Sequence, residues 1–142
     1  MLDAASVPGA YAPDAGGGSI EGLTLAPSTY ALDRYESLEG MRVQVTNARV
    51  VGATTPYAEL FVTAKPAENP SPRGGTVYGS YTSQNTGRVK VESLLTTAFP
   101  VADVGDVLST ATGPLDYDIV HVNAEFADQT SDHDPQVVRL QP

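Results

Sequence analysis

The sequence predicts an all-β domain, a small antiparallel barrel or sandwich with one short helix, and three observations carry that expectation. Thirteen Gly and eleven Pro in 142 residues punctuate the chain too often for a helical bundle. Two segments alternate apolar and polar side chains with period two, as half-buried strands do: Met41-Arg42-Val43-Gln44-Val45-Thr46 and Gly87-Arg88-Val89-Lys90-Val91-Glu92. Long apolar runs at helical spacing are few, and a 41% hydrophobic content suffices for one modest core.

Taken in order, residues 1–22 hold Pro8, Pro13 and Gly16-Gly17-Gly18-Ser19 with no periodic apolar pattern, and are expected to be a disordered, flexible N-terminal tail. Ser28 or Thr29 is placed to cap a short helix through residues 32–38, which Gly40 would end. The strand from Met41 is expected to continue through a bulge near Asn47-Ala48 into Arg49-Val50-Val51. Residues 52–56 turn the chain into a second strand, 57–63. A polar loop with Pro66, Pro70 and Pro72 follows, ending in Arg73-Gly74-Gly75, which reads as a turn. Further strands are expected at 76–81, 87–92 and 107–112, then a turn at Gly113-Pro114 and a last apolar stretch, Ile119-Val120-His121-Val122. Residues 41–123 would then form one antiparallel barrel, with Val43, Val45, Leu60, Val62, Val89 and Val91 facing its core.

Composition narrows the function classes. Without cysteine there is neither a disulfide framework nor a thiolate metal site, and the compartment stays open. No apolar run approaches the ~20 residues that span a bilayer, and the opening Met1-Leu2-Asp3-Ala4-Ala5 lacks the regions of a signal peptide, so no membrane partner is expected. The net charge of −9 argues against nucleic acid, since phosphate is bound by Lys and Arg. Its distribution points the other way: residues 40–100 carry six basic and three acidic side chains, while the flanks are strongly acidic. Within that basic middle, Arg42, Arg49, Arg73, Arg88 and Lys90 are candidate phosphate contacts, and Tyr57, Tyr78 and Tyr81, with Phe61, are candidate stacking partners for bases. The alternatives are scattered surface charge, and aromatics that fill the core or cover strand edges. The acidic C-terminal third has no twelve-residue calcium loop, so no metal ligands are assigned in this chain.

One short string carries chemistry of its own. In Ser131-Asp132-His133-Asp134-Pro135 an imidazole stands between carboxylates that can orient its ring and favour its proton, just before the strand-like run Gln136-Val137-Val138-Arg139-Leu140. The string resembles the last segment of the endonuclease/exonuclease/phosphatase superfamily, metal-dependent phosphodiesterases in which a Ser-Asp-His sequence introduces the final core strand. The resemblance implies catalytic roles for Asp132 and His133; the plain alternative is a polar turn before a strand. His121, in its apolar run, reads as a strand histidine. A complete domain of that superfamily has about 250 residues, at the top of the single-domain range, and its other catalytic groups have no counterpart in residues 1–130. The chain is therefore expected to lack catalysis by itself.

A second resemblance covers more of the chain. Tyr35-Glu36, Glu39-Gly40-Met41-Arg42-Val43, the strand Tyr57-Ala58-Glu59-Leu60-Phe61-Val62, the loop Pro72-Arg73-Gly74-Gly75, and Val104-Gly105-Asp106-Val107 followed by Gly113-Pro114-Leu115-Asp116-Tyr117 come in an order similar to the OB-fold (YhcR-like) accessory domain of large secreted bacterial nucleases. The resemblance implies an OB-like β-barrel over residues 23–123, between the tail of 1–22 and a nuclease-like C-terminal segment of 124–142. It also implies an extracellular parent enzyme that uses a divalent metal, magnesium or calcium, with no cofactor in this chain. The expected role is weak, backbone-mediated binding of nucleic acid. The alternatives are a structural spacer that docks to a neighbouring catalytic domain and binds no nucleic acid, and a phosphodiesterase fragment using Asp132 and His133.

Overall fold

The computed structural model describes residues 1–16, 22–80, 82–93 and 99–116, and the backbone of 137–139. They form one short helix, α1 (Ala31–Glu36), and the strands β1 (Arg42–Gly52), β2 (Glu59–Thr63), β3 (Arg88–Glu92), β4 (Val107–Asp116) and β5 (Val137–Arg139). The described residues are all-β with one short helix, as the alternation and the turn residues predict. All six expected core residues are buried: Val43, Val45, Leu60, Val62, Val89 and Val91 are at most 4% exposed.

The four longer strands form an antiparallel sheet in the order β4-β1-β2-β3, with β3 and β4 at its edges. Among the described residues of 41–123 that sheet is open: β1 to β4 do not by themselves close the expected barrel. The strand that lies between the two edges is β5, from the segment read as a nuclease tail. It pairs in parallel with β3, Val91 opposite Val138, and antiparallel with β4, Leu115 opposite Val138. The expected closing strand, residues 119–122, lies outside the described residues.

Local chemistry moves several other boundaries. The alternation in β1 resets at Asn47, whose φ of 51° is left-handed, so that Ala48 and Val50 face inward after Val43 and Val45. The ladder to β4 keeps one register across Asn47; the irregularity lies between Val50 and Gly52, against β2. Gly113-Pro114, expected to turn, sits inside β4, with Pro114 opposite Arg42 and the amide of Leu115 donating to the Met41 carbonyl at 2.9 Å. Residues 76–80 form no strand, only the isolated bridges Pro70–Thr76 and Ser80–Ser83.

The flexible tail is the largest correction. Leu2 and Val7 are 1% and 2% exposed and belong to the core. The amide of Leu2 donates to the Gln44 carbonyl at 2.8 Å, and Leu2 bridges Val45 in parallel, on a part of β1 that has no partner in β2. Farther on, the carbonyls of Ala10 and Tyr11 accept the amides of Ala31 and Leu32. These are first-turn donors of α1 that have no partner within the helix. That is why the helix does without the Ser28 or Thr29 cap: its N-cap is Tyr30, with no side-chain cap. The carboxylate of Asp33 fastens the approach by accepting the Ala26 amide at 2.6 Å.

The buried face of α1, Ala31, Leu32, Asp33 and Tyr35, is then pinned across the core. The Tyr35 hydroxyl donates to the Thr86 carbonyl at 2.8 Å, just before β3. Next to it, Lys65 ties the exit of β2 to the N-terminal segment through Pro8 O at 3.2 Å, to Thr86 Oγ1 at 2.8 Å and to Glu68 at 3.1 Å.

Candidate nucleic-acid interface

Because Val43, Val45, Val50, Leu60, Val62, Val89 and Val91 turn inward, the intervening side chains of β1, β2 and β3 share the outer face. Cross-strand pairing arranges them in three rows. Arg49, Thr63 and Arg88 make the first, in which Thr63 itself is fully buried; Gly52, Phe61 and Lys90 the second; Glu59 and Glu92 the third.

The centre of this face is an aromatic ring with a cation on it. The Arg88 guanidinium lies 5.9 Å from the Phe61 ring centroid, a cation–π distance. Gly52 makes room for the ring, since a Cβ there would meet it at 3.0 Å. Arg49, at the other end of the first row, donates from its guanidinium to the Pro66 carbonyl, while its buried Nε has no acceptor among the described residues. Neither arginine has a carboxylate partner among the described residues.

Lys90 differs from them. Its Nζ lies 3.0 Å from Glu59 and 2.6 Å from Glu92, which face each other across β2 and β3. Burial works against its charge, but the hydrogen bonds and charges of Glu92 and Glu59 outweigh it and hold its pKa above the ordinary lysine value. Such a lysine is already neutralised and makes a poor phosphate contact. Lys90→Ala is expected to leave two like charges directly opposed, at a cost of about 1 kcal/mol. A raised lysine pKa stabilises the fold below the ordinary lysine range, and that contribution fades as pH climbs past it. Urea unfolding at pH 7 and pH 11 checks both: the wild type should lose part of its advantage over Lys90→Ala at the higher pH.

The other expected contacts are dispersed. Arg42 is exposed near the far end of β1, and Arg73 is exposed on a loop where Gly74, at φ 88°, packs so closely on Gly105 that a Cβ would meet its Cα at 2.8 Å. Tyr57 is 78% exposed in the turn before β2, and Tyr78 is 49% exposed in the long loop between β2 and β3. Tyr81, His121, Asp132 and His133 lie outside the described residues. Phe61 was legible as a possible stacking residue, but only the pairing of β2 with β3, which sets it opposite Lys90, brings Arg88 diagonally over its ring. No group of three or more His, Asp or Glu side chains among the described residues is placed to hold a metal ion. No helix among the described residues is long and apolar enough to cross a membrane.

Residues 1–123 match the family described as Domain of unknown function (DUF8508). The chain belongs to this family. The DUF8508 match begins at the first residue, so it includes the segment that packs Leu2 and Val7 into the core and ends before β5. No curated protein and no solved structure matches the chain.

Proposed function

We propose that this domain is an OB-like β-barrel that binds single-stranded nucleic acid weakly and without sequence preference on the outer face of β1, β2 and β3. The single observation that carries the reading is the Phe61 ring with Arg88 over it and no carboxylate partner for that arginine among the described residues. Barrels of the oligonucleotide-binding type use such a face, where aromatic rings stack on bases and basic groups follow the backbone. The strand order β1-β2-β3-β5-β4, with β4 back beside β1, supports the five-stranded barrel. The resemblance to secreted nucleases supplies a context in which the module holds substrate beside a metal-dependent catalytic domain.

Fluorescence anisotropy with a labelled single-stranded oligonucleotide at low salt tests this. The expected dissociation constant is micromolar or looser, weakening as salt rises, with a logarithmic slope of roughly −0.7 per phosphate contacted. Arg49→Ala and Arg88→Ala together should make the slope shallower by about 1.4. Phe61→Leu, which keeps the packing on Gly52, should weaken binding without changing the slope. No binding at low salt, or binding indifferent to salt, would favour a spacer that docks to another protein. The exposed apolar side chains Val101 and Val107, 93% and 60% accessible, and the net charge of −9 suit that second reading.

A further inference from the structure

Away from the sheet's outer face, the N-terminal segment and the turn before α1 leave a cleft between them. Its volume is about 510 Å³, and Ala5, Ser6, Pro8, Pro27, Ser28 and Arg34 line it. Clefts of this size are typical of small-molecule sites. Arg34 is its one cationic wall residue. Its Nε is buried with no acceptor among the described residues, and its guanidinium has no carboxylate partner among them. The Nε is too enclosed for a ligand to reach, but the terminal guanidinium nitrogens of Arg34 also have no hydrogen-bond partner among the described residues, and they are the donors that a ligand in the cleft can meet.

The nearby carboxylates do not fill that role. Asp3 turns back to accept the amides of Ala5 and Ser6 at 3.0 and 2.8 Å, and Asp33 accepts the amide of Ala26. Both are occupied by backbone, yet they leave negative charge around the cleft. Such surroundings penalise a multiply charged anion more than a singly charged one. Pro8 and Pro27 contribute apolar wall, suited to a ligand with a hydrocarbon body.

We propose that this cleft binds a small organic carboxylate, its two oxygens on the Arg34 guanidinium and its apolar body against Pro8 and Pro27. A guanidinium fork matches a carboxylate in a bidentate manner, which a lysine in its place would not. The site is separate from the outer face of the sheet and does not rest on the nucleic-acid reading.

The test is amide chemical-shift titration of the full chain with benzoate and, in a parallel arm, with inorganic phosphate. Benzoate should move the amides of Ala5, Ser6, Ser28 and Arg34 in a saturable manner, with phosphate binding more weakly. Arg34→Gln should lower benzoate affinity about tenfold or more, the loss of a charged hydrogen-bonding partner. Arg34→Lys should keep the fold and still lose affinity, which decides the matter if the Gln variant is poorly folded. Arg88→Gln should leave benzoate binding unchanged. Absence of saturable shifts at these four amides, equal affinity in Arg34→Lys, or phosphate binding as tightly as benzoate would each overturn the proposal.

Discussion

Tyr35→Ala is expected to destabilise the domain by about 3–5 kcal/mol, the loss that follows truncation of a large buried aromatic. The ring is 1% exposed, and it is the largest fully buried side chain among the described residues. It also carries the link from α1 to the entry of β3, through the 2.8 Å hydrogen bond to the Thr86 carbonyl. Tyr35→Phe separates the two contributions. It keeps the ring and leaves the carbonyl without its donor, at a cost of about 1–3 kcal/mol. Burial, with Glu68 and Tyr11 adding to it, pushes the Tyr35 phenol far above its ordinary value, so the folded state holds it neutral while the unfolded chain ionises near pH 10. The stabilisation is therefore complete below pH 10 and is lost as pH rises beyond it. Urea unfolding from pH 7 to 11 should show a steeper alkaline loss for the wild type than for Tyr35→Phe. Equal slopes would mean that the phenol is not held neutral in the core.

Leu2→Ala should cost about 2–5 kcal/mol, the range for a fully buried leucine. Such a loss would be unremarkable in the middle of a strand; it is expected here because Leu2 is 1% exposed and its amide is bonded to Gln44 on β1. Removing residues 1–11 should cost more. It strips Val7 from the core, exposes one edge of β1, and takes away the Ala10 and Tyr11 carbonyls that accept the first-turn amides of α1. The measurement is the urea midpoint with far-UV circular dichroism. A midpoint within error of wild type for both variants would contradict the packed N-terminus.

These two expectations separate what the sequence makes visible from what it hides. Val43, Val45, Leu60, Val62, Val89 and Val91 were legible because an alternating strand has only one way to bury its apolar face. Leu2 and Val7 were not: each is a single apolar side chain in a Gly- and Pro-rich stretch, and no periodicity marks a segment that crosses the core at isolated points. Gly113-Pro114 reads as a turn from its own preferences, yet β1 alongside it keeps it in a strand. Tertiary pairing outweighed local propensity there. In the candidate interface, residue types were visible and partnerships were not. Arg88 and Lys90 look equivalent on one alternating strand, but the register sets Thr63 opposite the first and Phe61 opposite the second, and the side chains then reach diagonally, Arg88 over the Phe61 ring and Lys90 to Glu59.

The central claim, a nucleic-acid face on β1, β2 and β3, is tested most directly by following backbone amide shifts as unlabelled single-stranded oligonucleotide is added at low salt. The account predicts that the perturbed amides cluster around Arg49, Phe61, Thr63 and Arg88, with small effects at Arg42 and Arg73. Shifts confined to residues 101–107 or to the loop around Tyr78, or no shifts at all, would contradict it.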